Sequence, residues 1–227
     1  MRSRISLALA TTTLALAGTA AAGPRVTETA DALPLRDCEL ELDFARLSTS
    51  GLPAIRGWDS ILGCGVGAGT QLGLGYARAR ADGFSASSVG MLGKTNFVEP
   101  GPQATGWALA YSLAAVKEPG ASMKLEESSL AVVATRTLAS GWLGHANLGW
   151  DHTRSAKKNS TGWSVGVEST ADLALAADFF GDDRDKPWAS AGVGYSFGRG
   201  LSASVRYALQ FEKPRVKELT LGAKLAF

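Results

Sequence analysis

Cysteine and histidine are scarce in this chain, with two of each among 227 residues. A zinc site with the usual number of ligands is therefore not expected. Charge is also thin: 19% of residues, 23 basic against 21 acidic, for a net +2. That balance points to neither a nucleic-acid surface nor a polybasic lipid patch. Low charge with 27 glycines argues against a coiled coil, and a 45% hydrophobic content argues against disorder. No cofactor is implied, since the glycines of GCGVGAG (63–69) are not followed by a helix that could receive a phosphate.

The first segment reads as an address. Residues 1–22 carry Arg2 and Arg4, then an apolar stretch from Ile5 to Gly18, then Ala20-Ala21-Ala22 before Gly23. This is the layout of a cleaved secretory signal peptide, with an apolar part too short to span a bilayer. Residues 23–36 are polar, proline-containing and unpatterned, and are expected to form a flexible periplasmic N-terminal extension.

From residue 37 to 227 the dominant period is two. In LSASVRYALQF (201–211), Leu201, Ala203, Val205, Tyr207, Leu209 and Phe211 share one face against Ser202, Ser204, Arg206, Ala208 and Gln210. The last segment and residues 189–197 repeat the pattern. Successive strand side chains point to opposite faces, so these are strands with one apolar face. Ser60 to Ala77 has no charge, but its six glycines would each cost about 1 kcal/mol in a helix, so two strands with a turn fit better. About twelve strands of membrane-spanning length can be placed, joined by mostly short turns alternating with longer polar loops such as 116–124, 152–161 and 181–188. The opposite face is mostly Gly, Ala and Ser, too small for a typical water-facing surface. Trp142, Trp150, Trp163, Phe197, Phe211 and Phe227 lie near strand ends, where interfacial girdles would stand. The expected fold is an all-β, antiparallel up-and-down transmembrane β-barrel of about 12 strands. A soluble sandwich or lipocalin-type barrel, with its oily face inward, is the alternative.

The final run LTLGAKLAF, closing on Phe227, resembles the C-terminal signal of Gram-negative outer-membrane β-barrels. That resemblance implies an outer-membrane location, lipid as a partner, and recognition of Tyr207, Leu221, Leu225 and Phe227 by the barrel-assembly machinery. GCGVGAGTQLGLGYARA (63–79), GHANLGWDHTRSA (144–156) and FFGDDRDKPW (179–188) also resemble segments of a bacterial transporter family linked to the meta-pathway of phenol degradation. This implies passage of small, including aromatic, solutes, and names no functional residue.

Cys38 and Cys64 share the parity of the apolar face and would lie opposite each other in a first hairpin. Export through an oxidising compartment favours a disulfide, with two separate thiols as the alternative. If lipid meets the apolar faces, the lumen receives Glu39, Glu41, Asp43, His145, Asn147, Asp151, Glu168, Asp172, Asp178, Arg206 and Lys224. Closure would bring the acids of the first strand near Lys224. Such a set either packs as a stabilising network or forms a polar constriction that selects solutes. No catalytic residues are assigned, because no nucleophile stands out beside His145 or His152. The reading is an outer-membrane pore for passive passage of small solutes. A non-conducting structural or adhesive barrel that binds partners through its external loops is the first alternative, and an envelope hydrolase the second.

Overall fold

The computed structural model describes residues 24–139 and 141–227, so the expected signal peptide lies outside the described residues. Twelve strands follow in order: β1 (Cys38–Thr49), β2 (Ile55–Gly67), β3 (Thr70–Ala81), β4 (Phe84–Val98), β5 (Gly106–Lys117) and β6 (Lys124–Ala139) come first. Then come β7 (Trp142–Thr153), β8 (Lys158–Ser169), β9 (Leu173–Asp182), β10 (Trp188–Gly198), β11 (Leu201–Gln210) and β12 (Val216–Ala226). Each strand pairs antiparallel with its sequence neighbours, and β1 pairs with β12 to close the cylinder. With no open edge, every wall strand finds ladder partners on both sides, which a structure spanning lipid requires.

The pleat sorts the side chains as the alternation predicts. Leu74, Leu148, Val205 and Leu221 stand exposed on the outside, Leu74 at 60% and Leu148 at 61%. Ala108, Val133, Thr135 and Ala208 are buried inside. A water-soluble barrel would invert this arrangement. Trp58 and Tyr76, with ring centroids 5.2 Å apart, and Trp163 and Phe179, also 5.2 Å apart, form parts of the outer aromatic belt.

Arg36, Phe227 and most of the short turns share one end, called the near end, and most of the longer loops share the far end; the exceptions are the two-residue turn 82–83 at the far end and the seven-residue connection 99–105 at the near end. Asp82 and Gly83 turn β3 into β4 at the far end with φ of 32° and 81°, a two-residue hairpin turn needing positive φ at both positions. Register shifts at Gly65/Gly67, Asn96/Val98, Thr137/Ala139 and Ser196/Gly198 all fall at the near end. Such bulges bend a strand where its pairing ends. The loop expected over 152–161 is shorter than the sequence suggested, because Thr153 pairs with Lys158 and His152 with Asn159. The ladder runs past the apolar stretch there, and polar side chains beyond the oily belt leave no alternation to read.

Candidate functional site: a lumen filled by the N-terminal segment

The segment expected to be a flexible extension runs through the barrel interior. It enters at the near end, where Leu35 bridges Gly65 in parallel and Arg36 N–H donates to Gly65 C=O at 3.0 Å. It then crosses the lumen to Pro24, which lies against Gly192 and Gly194 on β10. Pro24, Thr27, Thr29 and Ala30 are buried. The physical reason is polar satisfaction: an irregular strand inside a barrel needs partners for its backbone groups, and the wall supplies them at Arg25, Val26, Thr27, Glu28, Ala30 and Leu33.

Those partners come from seven strands. Asp178 on β9 accepts the backbone N–H groups of Val26 and Thr27 at 3.0 and 3.1 Å, and the Ser190 hydroxyl at 3.1 Å. Glu168 on β8 pairs with the Arg25 guanidinium. Arg206 on β11 donates to the Arg25 carbonyl at 3.0 Å. On β4, Lys94 meets Glu28 at 3.2 Å, and Asn96 donates to the Ala30 carbonyl at 2.7 Å. Thr135 on β6 accepts the Ala30 N–H at 2.8 Å, and Gln71 on β3 accepts that of Leu33 at 3.2 Å. On β7, with its amide oriented to match, Asn147 accepts Glu28 N–H at 2.8 Å and donates to Glu28 C=O at 3.2 Å.

Two wall glycines make this fit sterically possible. A Cβ on Gly65 would stand 1.9 Å from the Pro34 carbonyl oxygen, and one on Gly192 would stand 2.1 Å from that of Pro24. Real Cβ atoms do not approach backbone so closely, so these positions admit the segment because they carry no side chain.

The lumen residues expected from sequence divide into three groups. Asn147, Glu168, Asp178 and Arg206 hold the segment directly, and His145 joins them through Thr135 Oγ1 at 3.0 Å and Glu168 Oε1 at 3.4 Å. Glu39, Glu41 and Lys224 form a separate cluster near the β1–β12 seam, with Lys224 Nζ at 3.2 Å from Glu39 and 3.8 Å from Glu41. Arg206 does not join it, reaching instead Glu218 and Thr220 at 3.3 Å each. Asp43 faces inward opposite Asp59, while Asp172 lies in the β9 turn, where its carbonyl takes the Ser196 N–H. Asp151 borders an empty space in the lumen. Tyr207, Leu221 and Leu225 all face outward, on neighbouring strands, with Phe227 at the end of β12.

That space is a cavity of about 80 Å³ beside β2–β7, toward the far end. Asp59, Glu127 and Asp151 give it a carboxylate lining, interleaved with Ser88, Ser112 and Ser129. Across the lumen, Phe180 and Trp188 stack 6.1 Å apart within an apolar cluster that includes Leu47 and Ile55 and touches Val26. Sequence reading passed over Asp59, Lys94, Asn96, Glu127 and Thr135. Their strands are interrupted by glycine or by apolar residues on both faces, so parity was hard to assign; the inward position of Lys94 in GMLGKTNF is set by its pairing with Ala110.

Thr135, His145 and Glu168 have the connectivity of a hydrolase row. The Thr135 oxygen is buried and takes the Ala30 N–H beneath the segment. In the far-end loop, Asp182 Oδ1 accepts the N–H groups of Arg184 and Asp185 at 2.7 Å each, an ordinary turn cap. Partial burial, and then the neighbouring Asp182, push the Asp185 carboxyl up from its usual range. Among the described residues no three His, Cys, Asp or Glu side chains are grouped to hold a metal ion.

Twelve closed antiparallel strands, an exposed oily belt and a polar interior define an outer-membrane-type β-barrel. The chain belongs to the family described as "Uncharacterised conserved protein UCP029691", whose model matches residues 9–227. No curated protein matches it in sequence. Among solved structures, it is similar to the KdgM porin in complex with disordered oligogalacturonate, at 6% identity and a TM-score of 0.60 over 82% of this chain and 99% of that one. It is also similar to the COG4313 outer membrane channel from Pseudomonas putida F1, at 10% identity and 0.62 over 87% and 97%. The NanC porin gives 9% and 0.57 over 82% and 98%. These likenesses are of fold, and they do not show the link to the phenol-pathway family that the motifs resemble.

Proposed function

We propose that the protein is an outer-membrane channel for passive passage of small solutes, held shut at rest by residues 24–35. The observation that carries this reading is the nature of the obstruction. The lumen is occupied by a segment held through hydrogen bonds and ion pairs to charged and polar wall residues, with Gly65 and Gly192 leaving room for its backbone. A barrel of twelve strands lies between those filled by their own side chains and those that hold an open water channel. Withdrawal of the segment converts this one from the first kind to the second. The outward belt and the shared fold support an outer-membrane location, with the short-turn near end in the periplasm.

The lining narrows the solute class. Asp59, Glu127 and Asp151 disfavour polyanions and favour neutral or cationic solutes. An acidic saccharide such as the oligogalacturonate found with one relative would be repelled. Phe180 and Trp188 offer an aromatic surface in the same lumen, which is the support here for the narrower reading of aromatic solutes. On the same reading the C-terminal strand, ending at Phe227, is the element that the assembly machinery engages.

Single-channel conductance in planar bilayers tests the proposal. The chain lacking residues 24–35 should conduct steadily, and the chain retaining them should be closed or open only in brief events. Ion-tight behaviour of both would leave the structural or adhesive barrel. Hydrolysis of a lipid or peptide substrate that vanishes in His145→Ala would establish the enzyme instead.

A further inference from the structure

The near-zero net charge conceals an uneven distribution. Register sets Arg46 on β1 directly opposite Arg56 on β2, and Arg56 directly opposite Arg80 on β3. One step toward the membrane centre, the row reads Phe44, Trp58 and Arg78. These positions alternate with the inward-facing Asp43, Asp59 and Ala79, so all four arginines point out of the barrel near its far end. Like charges directly opposite on paired strands repel each other.

Among the described residues no carboxylate forms an ion pair with them. The nearby carboxylates, Asp43, Asp59 and Glu218, are turned into the lumen by the pleat, where Glu218 already holds Arg206. Ser85 and Ser87 continue the two rows onto β4, and Leu219 flanks Arg46 on β12. The β1–β2 loop (50–54) has no acid, and Asp82 in the next turn makes no ion pair with the four. Lys217 and Lys117, outward on β12 and β5, extend the same sign on either side. The opposite wall differs: outward positions near its far end carry Trp150, His152, Asn159, Trp163 and Phe179.

We propose that Arg46, Arg56, Arg78 and Arg80 form a binding site for the phosphate groups of a phosphorylated lipid in the outer leaflet. The inference rests on the membrane reading above and adds to it a headgroup chemistry and a place on the wall. Depth supports it, because Arg78 stands level with Trp58 and beside Tyr76, the aromatic belt that marks the acyl–headgroup boundary, and the other three lie just beyond. Guanidinium groups bind phosphate oxygens in pairs, and a phosphate between two arginines replaces their repulsion with charge-assisted hydrogen bonds. Clustered cations at this level are the expected receptor for an anionic headgroup.

The test uses the processed protein in neutral detergent, with diphosphoryl lipid A as probe and its dephosphorylated form as control, bound adducts being counted by native mass spectrometry. Preferential retention of the phosphorylated form is expected, falling about tenfold for each arginine removed in Arg46→Gln, Arg56→Gln and Arg80→Gln. Lys157→Gln with Arg184→Gln, in far-end loops over the opposite wall, should leave it unchanged. Equal retention of both lipid forms, or equal loss in the loop variant, would overturn the site. Flotation with neutral phosphatidylcholine vesicles separates the two levels. If wild type and triple variant both float, a negative result rejects the lipid site; if neither floats, the membrane reading itself fails.

Discussion

Cys38 and Phe227 exchange both backbone hydrogen bonds, at 2.8 and 2.9 Å, and so form the last rung of the β1–β12 seam. On its other side Cys38 is bonded to Cys64, its direct partner on β2, with Cα atoms 4.1 Å apart. The closing rung of the cylinder is thus covalently joined to the next strand. Reduction, or Cys38→Ser, should lower stability by about 3 kcal/mol for a closed loop of this length. Denaturant titration of the vesicle-inserted protein, followed by gel mobility without heating, measures it. The double Cys38→Ser, Cys64→Ser variant should be no worse than either single change.

Asp178 is the anchor of the internal segment. Asp178→Ala strips acceptors from two backbone N–H groups and the Ser190 hydroxyl, and each buried group left unpaired costs about 1–3 kcal/mol. The segment should detach. A Thr27→Cys reporter should resist a water-soluble maleimide in the otherwise native chain and react quickly once Asp178 is replaced.

Gly192→Val and Gly65→Val act on the same segment by sterics. Their added carbons would meet Pro24 and Pro34 backbone at 2.1 and 1.9 Å, contacts that no side-chain rotation relieves. Conductance in these variants should approach that of the chain lacking residues 24–35. Unchanged closure would mean the glycines do not seat the segment.

Ion selectivity should follow the carboxylate lining. In the chain lacking residues 24–35, the reversal potential under a salt gradient should indicate cation preference. Replacing Asp59 and Asp151 by Asn and Glu127 by Gln should bring it toward zero.

The outer face has its own test at Val205, which points outward midway along β11. Val205→Arg should cost about 2–4 kcal/mol if the site meets mid-bilayer lipid, measured by the same unfolding titration. Negligible cost would contradict the orientation of the wall.

Strand number, closure and facing were legible because the period-two pattern is carried by large residues such as Leu201, Val205 and Tyr207. Register was legible where chemistry marked it, as with Cys38 and Cys64, whose shared parity and compartment predicted the pair. The internal segment was not legible. Its sequence, PRVTETADALPLR, lacks alternation because it joins no ladder along most of its length, and its partners lie up to 181 residues away. The four outward arginines were hidden for a related reason: they are separated in sequence and assembled only by pairing. Net charge counts them against acids that the pleat sends to the other side.

The internal segment leaves the barrel through Arg36 and Asp37, whose backbones grip Gly65 from both sides at 3.0 and 2.9 Å, one residue from Cys64. A tug on that thread from the near side would load the sulfur staple before it reached the seam at Phe227. Were the segment withdrawn as proposed, the disulfide would keep the closing rung of the cylinder in place.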